Sequence, residues 1–120
     1  MTSAKDPRVR LQHILENIDG ILSHTDGLTF ETILGDFVLI RAVERSIQII
    51  SEAAKELPAD LRSREPDVPW QGIIGIGNFL RHEYYRINHN DIRSILVVHL
   101  PALRPAVIRL MARLDGEATP

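Results

Sequence analysis

Between residues 78 and 91 the chain reads NFLRHEYYRINHND, which crowds Arg81, His82, Tyr84, Tyr85, Arg86 and His89 into one short stretch. These side chains move protons and hold phosphate. Imidazole exchanges protons near neutral pH, guanidinium offers a fork of donors to phosphate, and a carboxamide such as that of Asn78 orients either group. On a helix turning about 100° per residue, Asn78, His82 and Tyr85 or Arg86 share one stripe, and Gly77, Arg81 and Tyr84 share the neighbouring one. Two polar stripes therefore meet at one helical corner, a set suited to binding or cleaving a phosphodiester. On these residues alone a second reading stays open: a solvated helix end whose histidine bonds a neighbour.

Other chemistries fit less well. His82, His89 and Asp91 could be offered as metal ligands, but the seven-residue gap between the histidines matches no familiar zinc spacing and crosses a helix end, so no metal site is expected. GIGNFL at 75–80 begins like a dinucleotide-binding loop, yet it lacks the third glycine and no strand precedes it. With no cysteine, neither a disulfide framework nor a thiolate nucleophile is available. The formal net charge of -2 excludes a protein that grips nucleic acid by bulk positive charge, so any RNA contact must be local. Of the 14 basic residues all but Lys5 and Lys55 are arginines, a bias that favours bidentate phosphate contacts but also follows from genomic base composition.

The elements that must position these residues read as helices. Asp6-Pro7 is a cap followed by a first-turn proline, and Leu11, Ile14, Leu15, Ile18 and Leu22 continue at helical spacing to about residue 24. Thr29 can cap a second start, with Leu28 and Ile33 as a hydrophobic staple and Gly35 as a kink. Ile40, Val43, Ile47, Ile50, Ala54 and Leu57 form a regular seam that Pro58 ends. Beside it runs a stripe of smaller residues, Ala42, Ser46, Ile49 and Ala53, that could admit another backbone or subunit. PADLRSREPDVP is a connector with at most one helical turn, and Pro69 opens a third main helix running to about Tyr85. Its glycines at 72, 75 and 77 each cost about 1 kcal/mol of helix stability relative to alanine, and close helix crossing is the simplest reason to keep them. Trp70 and Phe79 are expected to pack in the core or a dimer contact. Asn90-Asp91 should cap the last helix, which Pro101 kinks or restarts.

No segment alternates with period two, so the expected fold is all-α: a single domain over 1–120, built as an antiparallel up-and-down helical bundle. The first twenty residues lack the apolar core of a signal peptide and no stretch approaches ~20 apolar residues, which predicts a soluble cytoplasmic protein without a membrane span.

AVERSIQIISEAAKEL (42–57), PWQGIIGIGNFLRHEYYRIN (69–88) and LPALRPAVIRL (100–110), in that order, resemble the HepT-like family of the HEPN superfamily. The resemblance implies a homodimeric helical bundle with a metal-independent, cofactor-free ribonuclease site in a cleft between subunits. It implies the toxin role in a toxin-antitoxin pair whose antitoxin, a small nucleotidyltransferase, can adenylylate the motif tyrosine. Carried onto this chain, His82 becomes the acid/base group, Asn78 the polar support and Tyr84 the modifiable hydroxyl. The motif arginine, separated from the histidine by four residues, is here Gly77. Arg81 lies one turn further along and should lean toward the surface that Gly77 leaves bare, so it is the expected substitute. Arg86 or an arginine from a second subunit is the weaker donor, with Tyr85 as further support. The rival function is a non-catalytic HEPN binding module that docks a nucleotidyltransferase or nucleotide through the Tyr84 face, and a purely structural helical dimer is a third option.

Overall fold

A computed structural model describes residues 6–83 and 88–118, and among them every regular element is helical. Helix α1 spans Pro7–Thr25. The Asp6 carboxylate accepts from the Arg8 backbone N–H at 2.8 Å, and Leu11, Ile14, Ile18 and Ile21 are buried. Gly27, at φ 75°, makes the turn that follows. Thr29 then caps the short α2 (Phe30–Gly35) by accepting from Thr32 N–H. Leu28 stays exposed, while Ile33 is buried. The chain breaks after Gly35 rather than kinking, because Asp36 accepts from Leu39 N–H and starts α3 (Phe37–Glu56) afresh.

Helix α3 runs through the middle of the bundle, with α1 on one side and α5 (Trp70–Glu83) on the other, and α7 (Leu100–Ala118) packs against α1. Its expected seam is the buried one: Val43, Ile47, Ile50, Ala54 and Leu57 are buried, and Ile40 is partly so. Burying each of the larger of these contributes about 1.5–3 kcal/mol, which is why the seam dictates the position of α3. The second stripe is covered only at Ala53; Ala42 is exposed, and Ser46 and Ile49 are half-exposed.

After Leu57 the connector carries one turn, α4 (Ala59–Arg62), and then α5 spans Trp70–Glu83. Trp70 is buried and its indole N–H donates to the carbonyls of Arg62 (3.0 Å) and Glu65 (3.1 Å), folding the connector back onto the start of α5. Glu65 is tied in turn to α7: Arg109 donates to its carboxylate from Nη2 at 2.6 Å and from Nε at 3.1 Å. Those bonds hold the Glu65 carboxyl below its ordinary range, against the opposing effect of burial.

Asn88, two residues ahead of the expected cap, accepts from Asn90 N–H at 2.7 Å and begins α6 (His89–Ser94). A π-helical turn over Ile95–His99 joins it to α7 (Leu100–Ala118), with Leu100 N–H donating to Ile95 C=O. The widened turn sits immediately before Pro101, whose ring and missing N–H cannot be fitted into a regular ladder. The result, over Asn90–Gly116, is one continuous helix that is by length and composition alone apolar enough to cross a membrane. One side of it faces the bundle, with Ile92, Leu96, Leu100, Leu103, Val107 and Leu110 in the core, while Val97, Val98 and Ile108 stay exposed.

Candidate functional site

The site is built where α3 and α5 cross. The helices run antiparallel, with Leu80 beside residues 41–48 and Gln71 beside Lys55, and Ser51 packs directly on Gly77. Its hydroxyl donates to Ile74 C=O at 2.8 Å and accepts from Gly77 N–H at 3.1 Å. A Cβ added to Gly77 would fall well inside 3.0 Å of both Ser51 Oγ and Cβ. Gly77 is therefore a packing residue. This corrects the expected picture of Gly77 as bare surface awaiting a guanidinium: α3 covers it. The same crossing argument fails at Gly72 and Gly75, where an added Cβ meets nothing within 4 Å.

One helical step round from the crossing, α5 turns a polar face outward. Gln71, Gly75, Asn78 and His82 follow one another at spacings of four, three and four, and all four are exposed. Arg81 lies beside them and its Nη2 meets Glu52 Oε1 of α3 at 2.6 Å. At 48% and 42% side-chain exposure, both partners remain in water. Such a pair contributes at most about 1 kcal/mol and can exchange its carboxylate for another anion. Ser51, Glu52 and Lys55 of α3, with Gln71, Asn78 and Arg81 of α5, line a groove of about 370 Å³ between the two helices.

Of the residues singled out in the sequence, Asn78 and Arg81 line this groove, and His82 stands one turn beyond Asn78 on the same exposed face. Tyr84, Tyr85 and Arg86 lie outside the described residues, as does the side chain of His89. Among the described residues no three His, Asp or Glu side chains gather around a possible metal position. The contribution of α3 was not foreseen. Its signal was present in the polar interruption of an apolar helix at Ser51, Glu52 and Lys55, but nothing in one sequence says which partner such residues face.

The arrangement is a proton-transfer group, a carboxamide and a guanidinium on one exposed helical face, held by an all-α bundle. Such a set is suited to binding or cleaving a phosphodiester. The chain belongs to the HepT-like ribonuclease family, whose profile matches residues 14–110. It is 36% identical over 109 residues to a protein of Caldanaerobacter subterraneus subsp. tengcongensis provisionally named RNase TTE0752, covering 91% of this chain and 97% of that one. A Methanocaldococcus jannaschii protein provisionally named RNase MJ0127 is 35% identical over 113 residues, covering 94% of this chain and 93% of its own length. A third relative, from Thermococcus cleftensis and provisionally named ribonuclease HepT, is 30% identical over 94 residues, covering 78% of this chain and 86% of that one. No solved structure matches the chain significantly.

Proposed function

We propose that this protein is a metal-independent endoribonuclease, active as a homodimer in the cytoplasm and serving as the toxin of a toxin-antitoxin pair. The observation that carries the reading is the placement of Asn78 and Arg81 in one groove, with His82 a turn away on the same open face. In the reaction, the 2′-hydroxyl of the substrate attacks the adjacent phosphorus, the new O–P bond closes a 2′,3′-cyclic phosphate, and the bond to the 5′ oxygen breaks. His82 takes the 2′ proton, and His82 of a second copy returns a proton to the departing 5′ oxygen. Arg81 neutralises charge building on the phosphate, and Asn78 holds a phosphate oxygen or the imidazole in register.

A two-fold arrangement is supported by apolar residues that the bundle leaves outside. Val97 and Val98, on the π-helical turn, are more than half exposed, and so are Phe37 and Val38 at the start of α3. Purified protein should cleave RNA in the presence of a chelator, and His82→Ala and Arg81→Ala should each lower the rate by 100-fold or more while melting like the wild type. An Arg81→Ala protein that cleaves normally overturns the assignment.

The specific observation of Gly77 in the arginine position favours a second reading, a non-catalytic module that docks a nucleotidyltransferase antitoxin or a nucleotide through the Tyr84 face. That reading requires a mass increase of one nucleotidyl group on treatment with the partner enzyme and ATP, lost in Tyr84→Phe, from a protein that leaves RNA intact.

A further inference from the structure

Gly75 poses a question that the crossing at Gly77 does not answer. It costs α5 about 1 kcal/mol relative to alanine, yet an added Cβ would meet nothing, so packing does not demand it. Gly75 lies on the wall of the groove between α3 and α5, and a side chain there would fill the space that it leaves open. A bare backbone on an otherwise polar helical face is what a ligand needs for close approach.

The charges of the groove point to the ligand. Arg81 is matched by Glu52, so the surplus positive charge comes from Lys55, which is exposed and which no ion pair among the described residues engages. Lys55 and Gln71 flank the end of the groove opposite to Arg81, since α3 and α5 are antiparallel. From Asn78 back to Gln71 the helix advances about 10 Å, several times the rise of about 3.4 Å per nucleotide in a stacked strand.

We infer that the groove between α3 and α5 is a track for a single RNA strand, in which Lys55 and Gln71 hold a phosphate a few nucleotides along the strand from the one at Arg81 and Gly75 keeps the floor clear. The assignment rests on the ribonuclease reading and extends it to residues outside the reacting centre. Lys55 and Gln71 are positioning residues: they fix which stretch of the strand lies against His82. Because the track holds the strand by its phosphates, it binds with little base preference and strong salt dependence.

The test uses the full chain carrying His82→Ala, so that RNA stays intact, and a fluorescein-labelled 12-nucleotide oligouridine read by anisotropy at several salt concentrations. Added to that background, Lys55→Ala should weaken binding about 5-fold or more at low salt and reduce the log–log salt slope by about 0.7, the value for one single-strand phosphate contact. Gly75→Leu should raise Kd at least 10-fold while the melting temperature holds or rises, a combination that damage to the fold would not give. Arg113→Ala, which removes the same charge from α7, should leave Kd unchanged. If the chain with His82 intact cleaves RNA but both groove variants bind like their parent, the track is wrong and the nuclease reading survives. If that chain neither cleaves nor binds RNA, both fail together.

Discussion

Gly77→Ala should destabilise the protein even though alanine is the better helix former. In an open helix the exchange would gain about 1 kcal/mol. Here the new Cβ would sit well inside 3.0 Å of Ser51 Oγ and Cβ, where carbon atoms prefer about 3.5–4.0 Å, so α3 and α5 must part by roughly 1 Å at their crossing. Overpacking of that kind costs about 1–3 kcal/mol. The shift also stretches the two hydrogen bonds through Ser51 Oγ, at 2.8 and 3.1 Å, each contributing about 1 kcal/mol when buried. The balance is a net loss of about 1–3 kcal/mol, which for a chain of this size lowers the melting temperature by roughly 4 °C per kcal/mol. Urea and thermal denaturation of the variant measure it. Ser51→Gly in the same chain removes the clashing atoms, so the double variant should lose less than the two single losses combined, the sign of direct coupling. A Gly77→Ala protein as stable as the wild type would refute the reasoning, and with it the explanation of why no arginine stands at this position.

Other bonds of the bundle lead to measurable outcomes of their own. Glu65 has 11% side-chain exposure and its carboxyl is held below the ordinary range by Arg109, so its contribution is fully present above the unfolded carboxylate pKa and is lost as pH falls through the lowered folded value. Glu65→Gln should therefore cost about 1–3 kcal/mol at pH 7, with the gap to wild type closing in acid; a gap unchanged at pH 3 contradicts this. Trp70→Phe keeps an aromatic ring in the core but a smaller one, and leaves the carbonyls of Arg62 and Glu65 without the indole donor, for a loss of about 1–3 kcal/mol by urea titration.

The fold was legible where a local rule decides it. Asp6 and Thr29 cap the helices that their spacing announces, and the seam from Val43 to Leu57 is the buried face of α3 because periodicity and burial are the same property seen twice. Asp36 was missed as a cap because Gly35 offered a competing signal, and the π-helical turn was missed because a proline announces that a ladder must change without saying how. The candidate site was legible only along its own helix. Asn78, Arg81 and His82 are close in sequence, so their stripes could be drawn in advance, whereas Ser51, Glu52 and Lys55 reach them across some 25 to 30 residues of chain. That pairing is fixed by where α3 and α5 cross, and the crossing depends on Gly77, which sequence spacing alone had read as an empty place.

The same crossing explains how the guanidinium is presented. A residue at 77 points into α3, so in this bundle an arginine there could reach a phosphate only by forcing the helices apart. One turn later, Arg81 clears the crossing and comes out at the groove, where Glu52 holds it at 2.6 Å. Because both partners are about half in water, the ion pair orients the guanidinium without locking it away. A phosphate oxygen can replace the carboxylate at small net cost, and Lys55 keeps the groove positive when it does. Glu52→Gln gives the relevant comparison in the binding assay: if Glu52 competes with phosphate, the variant binds oligouridine more tightly, and if Glu52 chiefly aims the guanidinium, binding holds while cleavage by the chain with His82 intact falls. A variant with neither change would show that the Arg81–Glu52 pair has no part in the site.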